Sequence, residues 1–188
     1  MLTDRIGQAL ALAVKAHKGQ YRKGTKIPYI SHPMAVASIA LEHGANEDQA
    51  MAALLHDAIE DGGAEYAKEI QIQFGDQVLA IVEGCTDGVP DALGYKGSWK
   101  SRKERYIAHL ENASTDVILV SSSDKLHNAR SIVEDQLKTG DEVFTRFSAT
   151  KAQTLWYYSS LAEVFTRKRS PVAPALHETV KTMQRLAA

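Results

Sequence analysis

In the stretch ALLHDAIED, residues 53–61, His56 and Asp57 stand side by side, and Glu60 and Asp61 follow four residues later. An imidazole beside a carboxylate can hold a divalent cation, and a pair of carboxylates can orient a water or take its proton. Four residues make about 1.1 turns of α-helix, so Glu60 lies one turn beyond His56 and Asp61 one turn beyond Asp57, all on one side. The plainer alternative is a solvated helix end whose polar groups do nothing but face water. Two further segments weigh against it. YISHP sets His32 just before Pro33, and SSDKLHNAR presents Asp124, His127 and Asn128 on one helical face. His32, His56, Asp57 and Asp124 then offer two imidazoles and two carboxylates. That set suits a borderline ion such as Mn2+, Fe2+, Co2+ or Zn2+, with positions left open for water or substrate. An all-oxygen Mg2+ site would not need the histidines. His17 and His127 either compete for the same work or act as supporting or core histidines, and spacing alone leaves that open.

Phosphate chemistry also needs cations. Arg22, Lys23 and Lys26 crowd the loop before His32, and YKGSWKSRKERY contributes Lys96, Lys100, Arg102, Lys103 and Arg105. Arginine grips phosphate with two parallel N–H groups, whereas lysine acts as a point charge. The second cluster reads equally as a solvated helix face with i,i+4 pairs such as Lys100 with Glu104; Lys103 is its best candidate for phosphate. In KAQTLWYYSSLAEVF, Trp156 is expected in the core, while Tyr157 offers a ring and a hydroxyl to a nucleotide's ribose or phosphate.

The elements that carry these groups are helical. Ile6, Ala9, Leu10, Ala13, Val14 and Ala16 recur close to a 3.6-residue period, with Thr3 or Asp4 near the N-cap. HPMAVASIALEHG stops at Gly44, and Asn46 opens EDQAMAALLHDAIEDGG, expected as one helix ending at Gly62 and Gly63. Residues 64–84 read as short helices split near Phe74 and Gly75, and Ser98 opens another. In TDVILVSSSDKLHNARSIVEDQLKTG, VILV could start a strand, but Leu126, Ala129, Ile132, Val133 and Leu137 keep helical spacing to a stop at Gly140. Helices near 141–165 and 173–187 complete an all-α expectation. No strand-turn-helix context for a Gly-rich phosphate loop is present. Residues 19–31, 86–98 and 168–174 are looser, and the middle one is expected as a mobile loop beside a site.

Across 188 residues, 44% of them hydrophobic, one domain with a sizeable core is expected. With 22 basic and 23 acidic residues, the formal charge of −1 gives no reason to expect nucleic-acid or membrane-surface binding, so any anion site is local. Cys85 is the single cysteine; it suits a reducing compartment and a buried position. No leader pattern opens the chain and no apolar run nears the ~20 residues that span a bilayer, so a cytoplasmic protein is the expectation.

His56-Asp57 with a preceding histidine and a distant aspartate resembles the HD phosphohydrolase superfamily. More narrowly, AHKGQYRKGTKIPYISHPMAVA, ALLHDAIED, FGDQVLAIVEGCTD and DKLHNAR resemble the hydrolase domain of the RelA/SpoT family, in four ordered blocks over about residues 5–165. The resemblance implies a Mn2+-dependent 3′-pyrophosphohydrolase acting on the guanine nucleotides ppGpp and pppGpp. It implies His32, His56, Asp57 and Asp124 as metal ligands and Glu60 with Asp61 as the water-handling pair. It also implies Arg22 and Lys23 as a basic substrate-binding turn and Asn128 as a guanosine contact. The short remainder after Leu161 implies a stand-alone small hydrolase. Two departures stand out: Lys125 where long members carry arginine, and Gly62 where they commonly carry threonine. The alternatives are a broader nucleotide phosphatase, with NADPH among its substrates, and a protein that binds alarmone without turning it over.

Overall fold

The computed structural model describes residues 2–87 and 97–188. Residues 88–96, which include Lys96 and most of the loop expected beside the site, lie outside the described residues. The architecture is all-α. In chain order the helices are α1 (Arg5–Ala16), α2 (Ser31–Glu42), α3 (Glu47–Leu55), α4 (Ala58–Gly62), α5 (Glu65–Phe74), α6 (Asp76–Cys85), α7 (Trp99–Asn112), α8 (Thr115–Thr139), α9 (Lys151–Arg167) and α10 (Ala173–Leu186). A 3₁₀ turn, Gly140–Arg146, joins α8 to α9. Among the described residues, the extended pairing is an isolated bridge from Tyr21 to Pro28 in the loop before α2.

Helix α8 is the axis of the molecule, packing against α2, α3, α6, α9 and α10. Its N-terminal half is buried on nearly every side, which is why VILVSSS reads ambiguously in sequence. The serines belong there because none leaves a hydroxyl stranded. Ser121 shares a hydrogen bond with the Tyr106 hydroxyl at 2.5 Å, Ser122 pairs with Ser170 at 2.7 Å, and Ser123 donates to the Leu119 carbonyl at 2.8 Å. Several helix ends match the sequence signals. Asn46 and Gln49 form a reciprocal capping box on α3, Ser98 caps α7, and Gly140, at φ 60°, stops α8.

Four expectations are corrected. The helix expected over 47–63 breaks at His56 and Asp57, which separate α3 from α4. Asp57 sits at φ −99° and ψ −4°, near enough to helical that Asp61 N–H still donates to its carbonyl at 2.9 Å, so the apolar period runs through the break unchanged. The helix expected near 141–165 starts only at Lys151, because Thr150 and Gln153 build a capping box there and the preceding residues form the 3₁₀ turn. Trp156 is exposed rather than core. It stacks edge-on to Trp99 with Lys100 above it, an amphipathic rim position. Val14 and Leu137 also face outward, since their helices bury only the adjacent stripe. Cys85 is buried, as expected, and burial pushes its thiol well up from its ordinary value.

Candidate metal centre and cleft

The break between α3 and α4 brings His56 and Asp57 against the start of α2 and the middle of α8. His32 Nε2 lies 3.1 Å from Asp124 Oδ1 and 3.5 Å from Asp57 Oδ2; His56 Nε2 lies 3.1 Å from Asp57 Oδ2 and 3.7 Å from Asp124 Oδ1. Atoms bound about 2.1 Å from one ion stand roughly 3.0–3.4 Å apart in octahedral or tetrahedral arrangements, so these separations match a shared ion. His32, His56 and Asp124 form a buried triad able to hold a divalent metal, and Asp57 adjoins it. The imidazole tautomers point the same way. His56 Nδ1–H donates to the Ala53 carbonyl at 2.8 Å, which leaves Nε2 as a bare lone pair. That Nε2 is buried and directed into a hydrogen bond with neither carboxylate. Lone pairs facing carboxylate oxygens repel unless a cation lies between them.

The electrostatics express the same demand. Burial opposes a charged His56, but Asp57 and Asp124 outweigh it and raise its pKa well above the ordinary value. Burial likewise opposes ionised carboxylates. His56 and His32 nevertheless hold Asp57 well below the usual range, and Lys125 with the same imidazoles does so for Asp124. Lys125, the departure noted in sequence, is half-buried, ion-paired with Asp124 and set over the Tyr106 ring at 5.2 Å. His127 supports rather than competes. Its Nδ1 is 2.7 Å from His32 Nδ1, so a proton on His32 Nδ1 frees Nε2 for the ion. Burial and the neighbouring His32 and Arg22 push the His127 pKa down to about 4, keeping it a neutral acceptor.

Of the acidic pair, Glu60 is half-buried and Asp61 lies at the surface of α4. The Asp61 pKa is raised by desolvation and by the charges of Asp57 and Glu60. Tyr29, unassigned in sequence although it lies inside YISHP, donates to Asp57 Oδ2 at 2.7 Å and interacts with Asp61 as well. Gly62 has a local reason. A Cβ there would come within 2.9 Å of the Tyr66 ring and 3.3 Å of the Ala16 Cβ, so Tyr66 fills the space a threonine would need.

Next to the centre opens a cleft of about 590 Å³. Arg22, Lys23, Lys103, Asn128 and Tyr157 all line it, with Tyr29 and His127. The four ligand candidates sit behind this wall; Tyr29, His127 and Asn128 are hydrogen-bonded to Asp57, His32 and Asp124 respectively. Asn128 is the link between centre and cleft. Its Nδ2 donates to Asp124 Oδ1 at 2.5 Å, while its Oδ1 accepts from Arg22 Nη2 at 2.7 Å. Lys103 is ion-paired with Asp87 and lies 4.9 Å from the Tyr157 ring centre; burial and nearby Lys125 lower its pKa. The Tyr157 hydroxyl is buried without a hydrogen-bond partner. Lys26, Lys100 and Arg105 do not line the cleft, and Lys100 makes the expected i,i+4 pair with Glu104 at 3.8 Å. Arg102 is taken up by Asp87 at 3.6 Å. Among the described residues, no helix is long and apolar enough to cross a membrane.

Known proteins resemble this chain in sequence and in fold. The HD domain family matches residues 9–164. The guanosine-3′,5′-bis(diphosphate) 3′-pyrophosphohydrolase MESH1 of Xenopus tropicalis is 39% identical over 130 residues, covering 68% of this chain and 69% of that protein. The bifunctional (p)ppGpp synthase/hydrolase SpoT of Escherichia coli K12 is 37% identical over 130 residues, covering 68% of this chain but only 18% of SpoT. The chain thus spans under a fifth of that longer relative. The solved structure of a metazoan ortholog of SpoT that hydrolyzes ppGpp superimposes with a TM-score of 0.78 at 24% identity, over 100% of this chain and 99% of that one. The last likeness shows the shared fold; with the family match and the MESH1 identity, the chain belongs to the HD domain family as a relative of the SpoT/RelA-like proteins.

Proposed function

We propose that this protein is a metal-dependent (p)ppGpp 3′-pyrophosphohydrolase, converting ppGpp and water to GDP and pyrophosphate, and pppGpp to GTP and pyrophosphate. The observation that carries the reading is Asn128, which ties a metal-ligand candidate to a cleft arginine and so couples a hydrolytic centre to an anion-binding wall. The names of MESH1 and the SpoT relatives supply the substrate class.

In this reading His32, His56, Asp57 and Asp124 hold Mn2+ or a similar ion, which, when bound, polarises a phosphoryl oxygen and lowers the pKa of a water. Glu60 orients the attacking water, and Asp61, made more basic by desolvation and by the charges of Asp57 and Glu60, accepts its proton. Tyr29 steadies Asp57 and Asp61 from the cleft wall. The new bond joins the water oxygen to the phosphorus attached to the 3′ oxygen; the bond to that oxygen breaks, and the oxygen takes up a proton. Arg22 and Lys23 grip the phosphates, Asn128 faces the nucleoside, and Lys103 and Tyr157 complete the lining. Metal-stripped protein refilled with Mn2+ should release pyrophosphate from ppGpp. Absence of release with any of Mn2+, Mg2+, Zn2+ or Fe2+ counts against the reading. Release of orthophosphate alone from a panel including NADPH instead identifies a broader nucleotide phosphatase. Tight ppGpp binding without turnover identifies a binding protein.

A further inference from the structure

Asp135 and Arg146 have no part in the proposed chemistry, yet both line the cleft. Asp135 lies seven residues beyond Asn128 on α8, two turns along the same face, about 10 Å away. Each of these positions holds an arginine. Asn128 accepts from Arg22, and Asp135 Oδ2 accepts from Arg146 Nη1 at 2.7 Å, while Asp135 Oδ1 faces Lys138 at 3.6 Å. Arg146 comes from the 3₁₀ turn, and its stem runs against the loop that carries Arg22 and Lys23. A Cβ on Gly24 would lie 2.8 Å from Arg146 Cδ, and Gly24 has φ +73°, so glycine allows both the turn and the close approach. The loop closes on itself through Arg22 N–H to the Ile27 carbonyl at 2.8 Å and the Thr25 hydroxyl to the Arg22 carbonyl at 2.9 Å. A small rigid turn is therefore fixed to α8 at two points. One is direct, through Arg22; the other runs through Arg146.

We infer that the Asp135–Arg146 pair is a latch that holds the turn at residues 22–27 over the cleft, making Arg146 a positioning residue for substrate. Asp135 already meets the charge of Arg146, so what Arg146 supplies is the placement of Gly24 and its neighbours. The effect on substrate rests on the hydrolase reading; the latch itself does not.

Hydrogen–deuterium exchange of the full chain reads the latch without turnover. Arg146→Ala should speed exchange at amides 22–27 and leave 124–129 unchanged. In steady-state pyrophosphate release from ppGpp, the same variant should raise KM roughly tenfold with kcat within about twofold, and Mn2+ binding alone should be unaltered. Arg146→Lys, which keeps the aliphatic stem beside Gly24 and a cation for Asp135, should hold KM near the wild-type value, which a merely destabilised fold would not. Unchanged exchange at 22–27 overturns the latch. Faster exchange with unchanged KM overturns its role in substrate binding. A wild-type protein that releases no pyrophosphate defeats the hydrolase reading, and exchange still decides the latch.

Discussion

At the scale of single residues, the centre is a set of lone pairs and charges that repel unless a cation joins them. His56 has its proton fixed on Nδ1 by the Ala53 carbonyl and its Nε2 aimed among carboxylates. Asp57→Ala should therefore abolish Mn2+ binding by calorimetry, whereas Glu60→Gln should lower kcat by about 100-fold with Mn2+ affinity within a few-fold of wild type. Loss of the His127 support to His32 should weaken Mn2+ roughly 10- to 100-fold in His127→Ala. The pH dependence follows from the raised pKa of His56. In the metal-free protein its contribution to stability is complete below about pH 6.5 and is lost as pH rises through the folded value. The ion replaces that proton, so the Mn2+-induced gain in Tm should grow from about pH 6 to about pH 8 as proton competition fades. A gain independent of pH would show that the ion binds elsewhere. The ligand candidates were legible because each sits in a short motif. Tyr29 was not, since a tyrosine in a loop carries no signal until the fold sets its hydroxyl against Asp57.

At the scale of elements, the break between α3 and α4 and the glycines beside it shape the acidic pair. The sequence pattern carries through the break because His56 and Asp57 keep near-helical backbone angles. The bend is visible only in three dimensions, where Asp57 meets Tyr29 and two imidazoles. Gly62 is held by packing: Gly62→Thr should lower unfolding stability by about 1–3 kcal/mol in urea, through overlap with Tyr66. Shortening Tyr66 to leucine in the same chain should restore part of that loss. If Gly62→Thr proves as stable as wild type, Tyr66 moves aside freely and the explanation for this glycine fails. The capped ends at Asn46 and Ser98 and the stop at Gly140 were legible, because capping is local chemistry. The late start of α9 was not, although Thr150 with Gln153 is a capping signature.

At the scale of the molecule, α8 gathers groups from distant parts of the chain. Arg22 and Asn128 are 106 residues apart, and His32 and His127 are 95. The all-α class was readable from periodicity, and residues 9–164 carry the family likeness. The Arg146 part of the cleft lining was not readable, because Arg146 meets Asp135 and Gly24 only once the 3₁₀ turn is folded. The joining of a metal centre to a phosphate-binding cleft is a claim about chemistry, so products test it most directly. Metal-stripped protein should be reloaded with Mn2+, mixed with ppGpp, and the nucleotide and phosphate products resolved. The expected result is GDP and pyrophosphate in equal amounts, absent without metal and absent in Asp57→Ala. Orthophosphate in place of pyrophosphate, or no product from fully metal-loaded protein, would contradict the account.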